Sequence, residues 1–176
     1  MRKTPLGIVA LSIVLWSAQL MASEPPEAEP PDHGYHNTAA LRTIGLLEVK
    51  QDKRALFFGP GALIERTLID RLLEVEISAA FLMGHGVTMP IDLLLKFPVE
   101  INDKFTVYLG GGGAITFILP EEGEKEVHPG TIVSLGTYVW LWHEWGLNFE
   151  VDYATLFEAE HVAHEFETAV GVVYRF

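Results

Sequence analysis

The chain ends on "ETAVGVVYRF", Glu167 to Phe176. Taken in steps of two from the end, Phe176, Tyr174, Val172, Val170, Thr168 and Phe166 form one set. Arg175, Val173, Gly171, Ala169, Glu167 and Glu165 form the other. The first set is apolar and bracketed by aromatics, and the second is small or charged. A period of two belongs to a strand, in which successive side chains point to opposite faces. A terminal strand whose apolar face runs to the last residue calls for a solvent other than water.

The same alternation recurs upstream. It predicts eight strands, at about 36–48, 55–68, 72–83, 88–99, 104–119, 131–142, 145–157 and 165–176. Segments of roughly ten residues have the length that a tilted membrane-spanning strand needs. The connections alternate in character. "IDR", "NDK" and "WHE" are tight, whereas "PEEGEKEVHPG" and "EAEHVAHE" are longer and polar. Short turns at one end and longer loops at the other are the layout of an outer-membrane barrel, and an even strand count puts both chain ends on the short-turn, periplasmic side.

The two faces differ in kind. Trp145, Leu147, Phe149, Val151, Tyr153 and Phe157 share one face, with Asn148, Glu150, Asp152 and Ala154 opposite. Ile91, Leu93, Leu95 and Phe97 alternate with Asp92, Leu94 and Lys96. Phe105, Val107, Leu109, Ile115, Phe117 and Leu119 alternate with a set that is mostly glycine, threonine and tyrosine. A three-residue turn at Trp142–Glu144 pairs Val139 with Leu147 and puts Tyr138 and Trp140 on the face of Glu150; another turn length flips the sixth strand. Aromatics gather at strand ends (Phe105, Trp145, Phe157, Phe166, Tyr174 and Phe176), where the interfacial belts of a bilayer lie. An open edge strand cannot exist in hydrocarbon, so the last strand must pair with the first, "HNTAALRTIGLL". The expected fold is therefore all-β: a single closed antiparallel up-and-down transmembrane β-barrel of about eight strands.

Two segments precede it. Residues 1–22 have a basic start at Arg2 and Lys3, an apolar run from Leu6 to Trp16 and small residues near Ala22, the pattern of a secretory signal peptide. Residues 23–34 are acidic and proline-rich and read as a disordered linker, leaving 35–176 for the barrel. The full chain carries 12 basic and 24 acidic side chains; without Arg2 and Lys3 the balance is 10 to 24, a net charge of −14. That balance repels nucleic acid. The chain has no cysteine, so it has neither a disulfide framework nor a lipid-attachment cysteine.

On these residues the chain resembles the small eight-stranded outer-membrane β-barrel proteins of Gram-negative bacteria. The resemblance covers about 35–176 and implies a protein of the outer membrane, surrounded by its lipid. It also implies that Val172, Tyr174 and Phe176 are the signal read by the barrel-assembly machinery. The family includes structural, adhesive, pore-forming and enzymatic members, so the resemblance gives no activity.

The interior face is expected to collect Glu65, Glu74, Glu76, Asp92, Glu150, Asp152 and Glu167, facing Arg42, Lys96 and Arg175. Buried carboxylates need a positive partner, a donor or a proton, so these residues read as a polar network that fills the lumen. An acidic lining is also how a narrow cation-selective pore would be built. His128, His161 and His164 have metal-ligand side chains, but their spacing is no known signature and they read as solvated. The four glycines at 110–113 lack the lysine of a phosphate loop and lie inside a strand, where they relieve crowding. No cofactor and no catalytic residue are implied. The expected role is structural or surface interaction through acidic outer loops. Two alternatives use the same residues. A soluble periplasmic lipocalin-like barrel would hold an apolar ligand with Phe149, Val151 and Tyr153 inward. A lipid-modifying enzyme would need a serine within reach of His85, His128 or His164.

Overall fold

The computed structural model describes residues 36–50, 53–120, 123–158 and 162–176. The leader at 1–22, the linker at 23–34 and His161 lie outside the described residues. Nine strand segments follow one another: β1 (Asn37–Lys50), β2 (Lys53–Ile69), β3 (Leu73–Ala80), β4 (Leu82–Gly84), β5 (Gly86–Asn102), β6 (Phe105–Pro120), β7 (Glu126–Trp140), β8 (Trp145–Phe157) and β9 (Val162–Arg175). β3 and β4 both lie between β2 and β5, so together they form one wall strand interrupted at Phe81. The wall thus has eight strands, all antiparallel, each paired to its chain neighbour. β9 closes the ring on β1, with Thr38 opposite Arg175 and Val49 opposite His164.

The strands are strongly inclined. Following paired residues around the wall from Phe97 leads through Leu109, Leu135, Val151, Thr168, Gly45, Phe58 and Met83 to Val87. The path returns to β5 ten residues from its start. That stagger, on strands about 4.8 Å apart, sets a tilt of about 40°. An eight-stranded barrel of this kind is just wide enough for its own side chains to fill.

The outward set of β5 is Val87, Met89, Ile91, Leu93, Leu95, Phe97, Val99 and Ile101, a strand face with no polar side chain. On β8, Phe149, Val151 and Tyr153 are 41%, 57% and 37% exposed, while Glu150 and Asp152 between them are buried. This overturns the lipocalin-like alternative, which needs the opposite orientation. A barrel with apolar side chains outside and carboxylates inside is turned out for hydrocarbon. The turn between β7 and β8 pairs Val139 with Leu147, so Tyr138 and Trp140 face inward as that turn length requires.

The far end, opposite the termini, departs from the expected layout. The connections there cover only 51–52, His85, 121–125 and 158–161. About half of the polar stretches read as long loops is strand: β6 pairs with β7 up to Ile118–Glu126, and β8 with β9 up to Phe157–Val162. At a barrel rim the inward residues meet water at the mouth. Glu126 and His128 are therefore polar because of where they sit, not because the chain has left the sheet. Gly86, at φ 122°, makes possible the hairpin in which His85 alone joins β4 to β5.

Candidate functional site

Among the described residues, buried charged side chains converge in the lumen. Lys96 sits at its centre and is 0% exposed. It reaches inward from β5 because Leu95 and Phe97 on either side take the outward positions. Its ammonium donates to Glu65 Oε2 at 3.1 Å, to Glu76 Oε2 and to the Tyr138 hydroxyl at 3.0 Å, which uses all three of its donors. Glu150 Oε2 lies 3.4 Å away, and the Tyr108 ring centroid 3.8 Å away. The Tyr138 hydroxyl in turn donates to Glu65 at 2.9 Å.

A second basic group completes this layer. Arg42 Nη1 donates to Glu150 Oε1, Tyr108 donates to Glu150 Oε2, and Asn148 Nδ2 donates to the Tyr108 hydroxyl at 2.8 Å. Glu150 is thus held by one oxygen from each side. Glu74 is half-buried directly across the ladder from Lys96. Three inward glycines make room for the long side chains. A Cβ on Gly136 would lie 2.2 Å from the Tyr108 hydroxyl, one on Gly171 2.8 Å from Arg42 Cγ, and one on Gly110 3.2 Å from Lys96 Cγ.

Further toward the far end the balance changes. Asp92, Asp152, Glu165 and Glu167 are all buried. Asp92 accepts from Ser78 at 3.1 Å, and Asp152 faces Glu167 across the β8–β9 ladder. One oxygen each of Asp152 and Glu165 has no hydrogen-bond partner in the protein. Among the described residues, Arg42 and Lys96 are the only buried lysine or arginine, and both are engaged in the layer below. Apolar groups pack around these acids: Ile44, Leu46, Phe57, Leu82 and Ala169 in one cluster and Leu94, Ala114, Ile132 and Ala154 in another.

Arg175 was expected among the acids but lies at the terminal mouth. Its guanidinium stands 4.2 Å over the Trp140 ring and its Nε donates to the His143 carbonyl. Of the aromatics assigned to the interfaces, Trp145, Tyr174 and Phe176 form a terminal-end cluster, with centroids 4.8 and 5.8 Å apart. Phe105 is exposed at the same end, where β6 begins. Phe157 and Phe166 lie outward toward the far end, where Phe166 meets Tyr153 at 5.1 Å.

The histidines are kept apart by the wall. His128 faces inward and bonds Glu126 at 2.8 Å, whereas His164 faces outward and bonds the Tyr153 hydroxyl at 2.8 Å. No group of histidines and carboxylates able to hold a metal occurs among the described residues. Sequence reasoning missed Tyr108, Tyr138 and Asn148 as members of the central network. Their signal was an inward tyrosine on the same face as inward glycines, which marks a side chain lying across the lumen.

No family model matches the chain, and no curated protein matches it in sequence. Solved structures match it in fold. Neisserial surface protein A is 13% identical with a TM-score of 0.69, over 80% of this chain and 97% of that one. Ail, the attachment invasion locus protein of Yersinia pestis, is 12% identical with a TM-score of 0.63, over 81% and 99%. The N-terminal β-barrel domain of Pseudomonas aeruginosa OprF is 14% identical with a TM-score of 0.61, over 81% and 99%. The chain therefore has the fold of the small outer-membrane β-barrels.

Proposed function

We propose that the chain is an integral outer-membrane protein with a sealed lumen, serving a structural or surface-interaction role rather than conducting solutes or catalysing a reaction. The observation that carries this reading is the central layer. Lys96, Glu65, Glu76, Tyr108, Tyr138, Arg42 and Glu150 cross the lumen at one level and use each other's donors and acceptors. Most donors and acceptors of this network are matched within it, with Arg42 Nε and Glu76 Oε1 left without a protein partner, and opening it would strand buried charge.

The leader at 1–22 would deliver the chain across the inner membrane and be cleaved, and 23–34 would remain as a periplasmic tether. Val172 and Phe176 are outward on the closing strand and Tyr174 shares their parity, the arrangement the assembly machinery would read. An enzymatic role gains no support from the candidate groups. Ser78 is bonded to Asp92, His128 to Glu126 and His164 to Tyr153.

The test is conductance. The protein, reconstituted in a planar bilayer, is expected to pass no steady current in potassium chloride at moderate voltage. A stable single-channel conductance that selects cations would replace this reading with the narrow acidic pore.

A further inference from the structure

Inward carboxyl groups stand directly opposite one another at three places among the described residues. Glu65 faces Glu76 between β2 and β3, Asp152 faces Glu167 between β8 and β9, and Glu48 faces Glu165 between β1 and β9. Like charges in this position repel. The first pair is bridged, because the Lys96 ammonium donates to Glu65 at 3.1 Å and to Glu76. Among the described residues, no lysine or arginine bridges the other two.

Asp152 and Glu167 form the deeper of these unbridged pairs. They are 3% and 8% exposed, and one oxygen of Asp152 has no partner in the protein. Ser134 lies opposite Asp152 across the β7–β8 ladder; it is 2% exposed, and its hydroxyl has no partner either. Ala154 and Leu156 follow Asp152 toward the far mouth, and Ala163 lies beyond Glu165 on β9. All three are buried and shield the pair from that side.

The groups that face the pair from the surrounding strands bring a single positive charge. They are Arg42 and Glu48 on β1, Glu76 on β3, Asp92 on β5, Glu150 on β8 and Glu165 on β9. Arg42 is joined to Glu150, and Asp92 accepts from Ser78. Lys96, Glu65, Tyr108 and Tyr138 are engaged in the central layer. His128 is bonded to Glu126 and Lys50 to Glu158, both at the far mouth. β4 carries no titratable side chain.

Resting on the sealed membrane barrel read above, we propose that a proton stands at the Asp152–Glu167 pair where Lys96 stands at Glu65–Glu76, so that the upper tier of the seal is held by a proton and loosens in alkali. Two carboxylates side by side in a closed space with no free cation do not both stay ionised. In the unfolded chain the same groups meet water and release their protons well below neutrality. The folded barrel therefore binds more protons than the unfolded chain, and its stability falls as pH rises. With both groups ionised, the tier would have to admit water or a cation.

The experiment reads the proton directly and through stability. Infrared difference spectra compare the parent with the Asp152→Asn/Glu167→Gln double variant at neutral pH, in an alkyl maltoside detergent, which has no carbonyl group of its own. The parent is expected to show the carbonyl stretch of a protonated carboxyl group, weakened in the variant. In dioleoyl phosphatidylcholine vesicles, urea unfolding is followed by loss of the boil-sensitive gel species between about pH 7.5 and 9.5, above the range of histidine and below that of tyrosine and lysine. The unfolding equilibrium constant of the parent should rise by up to about tenfold per pH unit, and the double variant should flatten that rise. Asp152→Asn alone serves should the double variant not fold. A parent with no such band and a flat pH response has both groups ionised, which overturns the proposal and leaves the sealed barrel standing. Stabilisation at fixed pH that saturates with added sodium, potassium or calcium chloride, and is lost in the variant, puts a metal cation in the proton's place and also overturns it. Failure to give a boil-sensitive species in any vesicle removes the membrane-spanning reading, and the proposal with it.

Discussion

Replacing Lys96 by methionine is the sharpest perturbation of the central layer. Methionine keeps the unbranched stem that lies beside Gly110, so the packing changes little. What changes is charge. Lys96 is hydrogen-bonded to two carboxylates, Glu65 and Glu76, and lies 3.4 Å from a third, Glu150. Without it, Arg42 is the only remaining buried lysine or arginine among the described residues, and it is already joined to Glu150. Stranding one member of a buried pair costs about 3–5 kcal/mol, and proton uptake by a freed carboxyl keeps the total within that range. Lys96→Met is therefore expected to lower unfolding free energy by about 3–5 kcal/mol, a factor of roughly a few hundred or more in the equilibrium. Adding Glu65→Gln and Glu76→Gln removes the stranded charges and should bring the barrel back to within about 2 kcal/mol of the parent. The assay is urea unfolding in vesicles, followed by tryptophan fluorescence and by the gel shift on boiling. A Lys96→Met protein within about 1 kcal/mol of the parent would refute the central-layer account. So would a triple variant no more stable than the single.

Three other outcomes follow from the same geometry. Gly136→Ala sets a methyl against the Tyr108 hydroxyl, 2.2 Å away before relaxation; it should cost about 1–3 kcal/mol in the same urea titration. Asp152→Asn replaces a buried carboxyl group, one oxygen of which is unpartnered, beside Glu167, and is expected to raise stability by about 1 kcal/mol. Deleting Phe176 takes away the last outward aromatic of the closing strand. Membrane-assembled protein in cells should fall several-fold, measured by fractionation, while the same variant refolded into vesicles in vitro still gives the boil-sensitive species.

Local alternation made most of the wall readable. β8 and β5 obey a period of two on both faces, so their orientation followed from the residues alone, and the central acids fell on the inward side with them. Closure followed from the physics of an edge strand in hydrocarbon. What stayed hidden depends on stagger around the ring. Arg42 meets Glu150 across 108 residues of sequence, and Tyr138 meets Glu65 across 73. No local pattern sets which levels of distant strands coincide. The break at Phe81 is likewise a tertiary matter: its amide donates to the Pro60 carbonyl, and the Gly59 backbone is in close contact there. The far-end loops were overestimated because polar rim residues carry the composition of a loop while keeping the hydrogen bonds of a strand.

The seam between β1 and β9 also governs the order of events during folding. Thr38 and Arg175 are partners, so nearly the whole barrel sequence must be in place before the first strand finds its second neighbour. Every earlier arrangement leaves two unpaired edges, which hydrocarbon does not tolerate and which would recruit strands from other chains in water. Partly zipped forms are therefore short-lived wherever they arise. The barrel should appear in one late, cooperative step whose rate is set by that long closure, and a chain stopped before β9 should yield no partial barrel but only unfolded or aggregated protein.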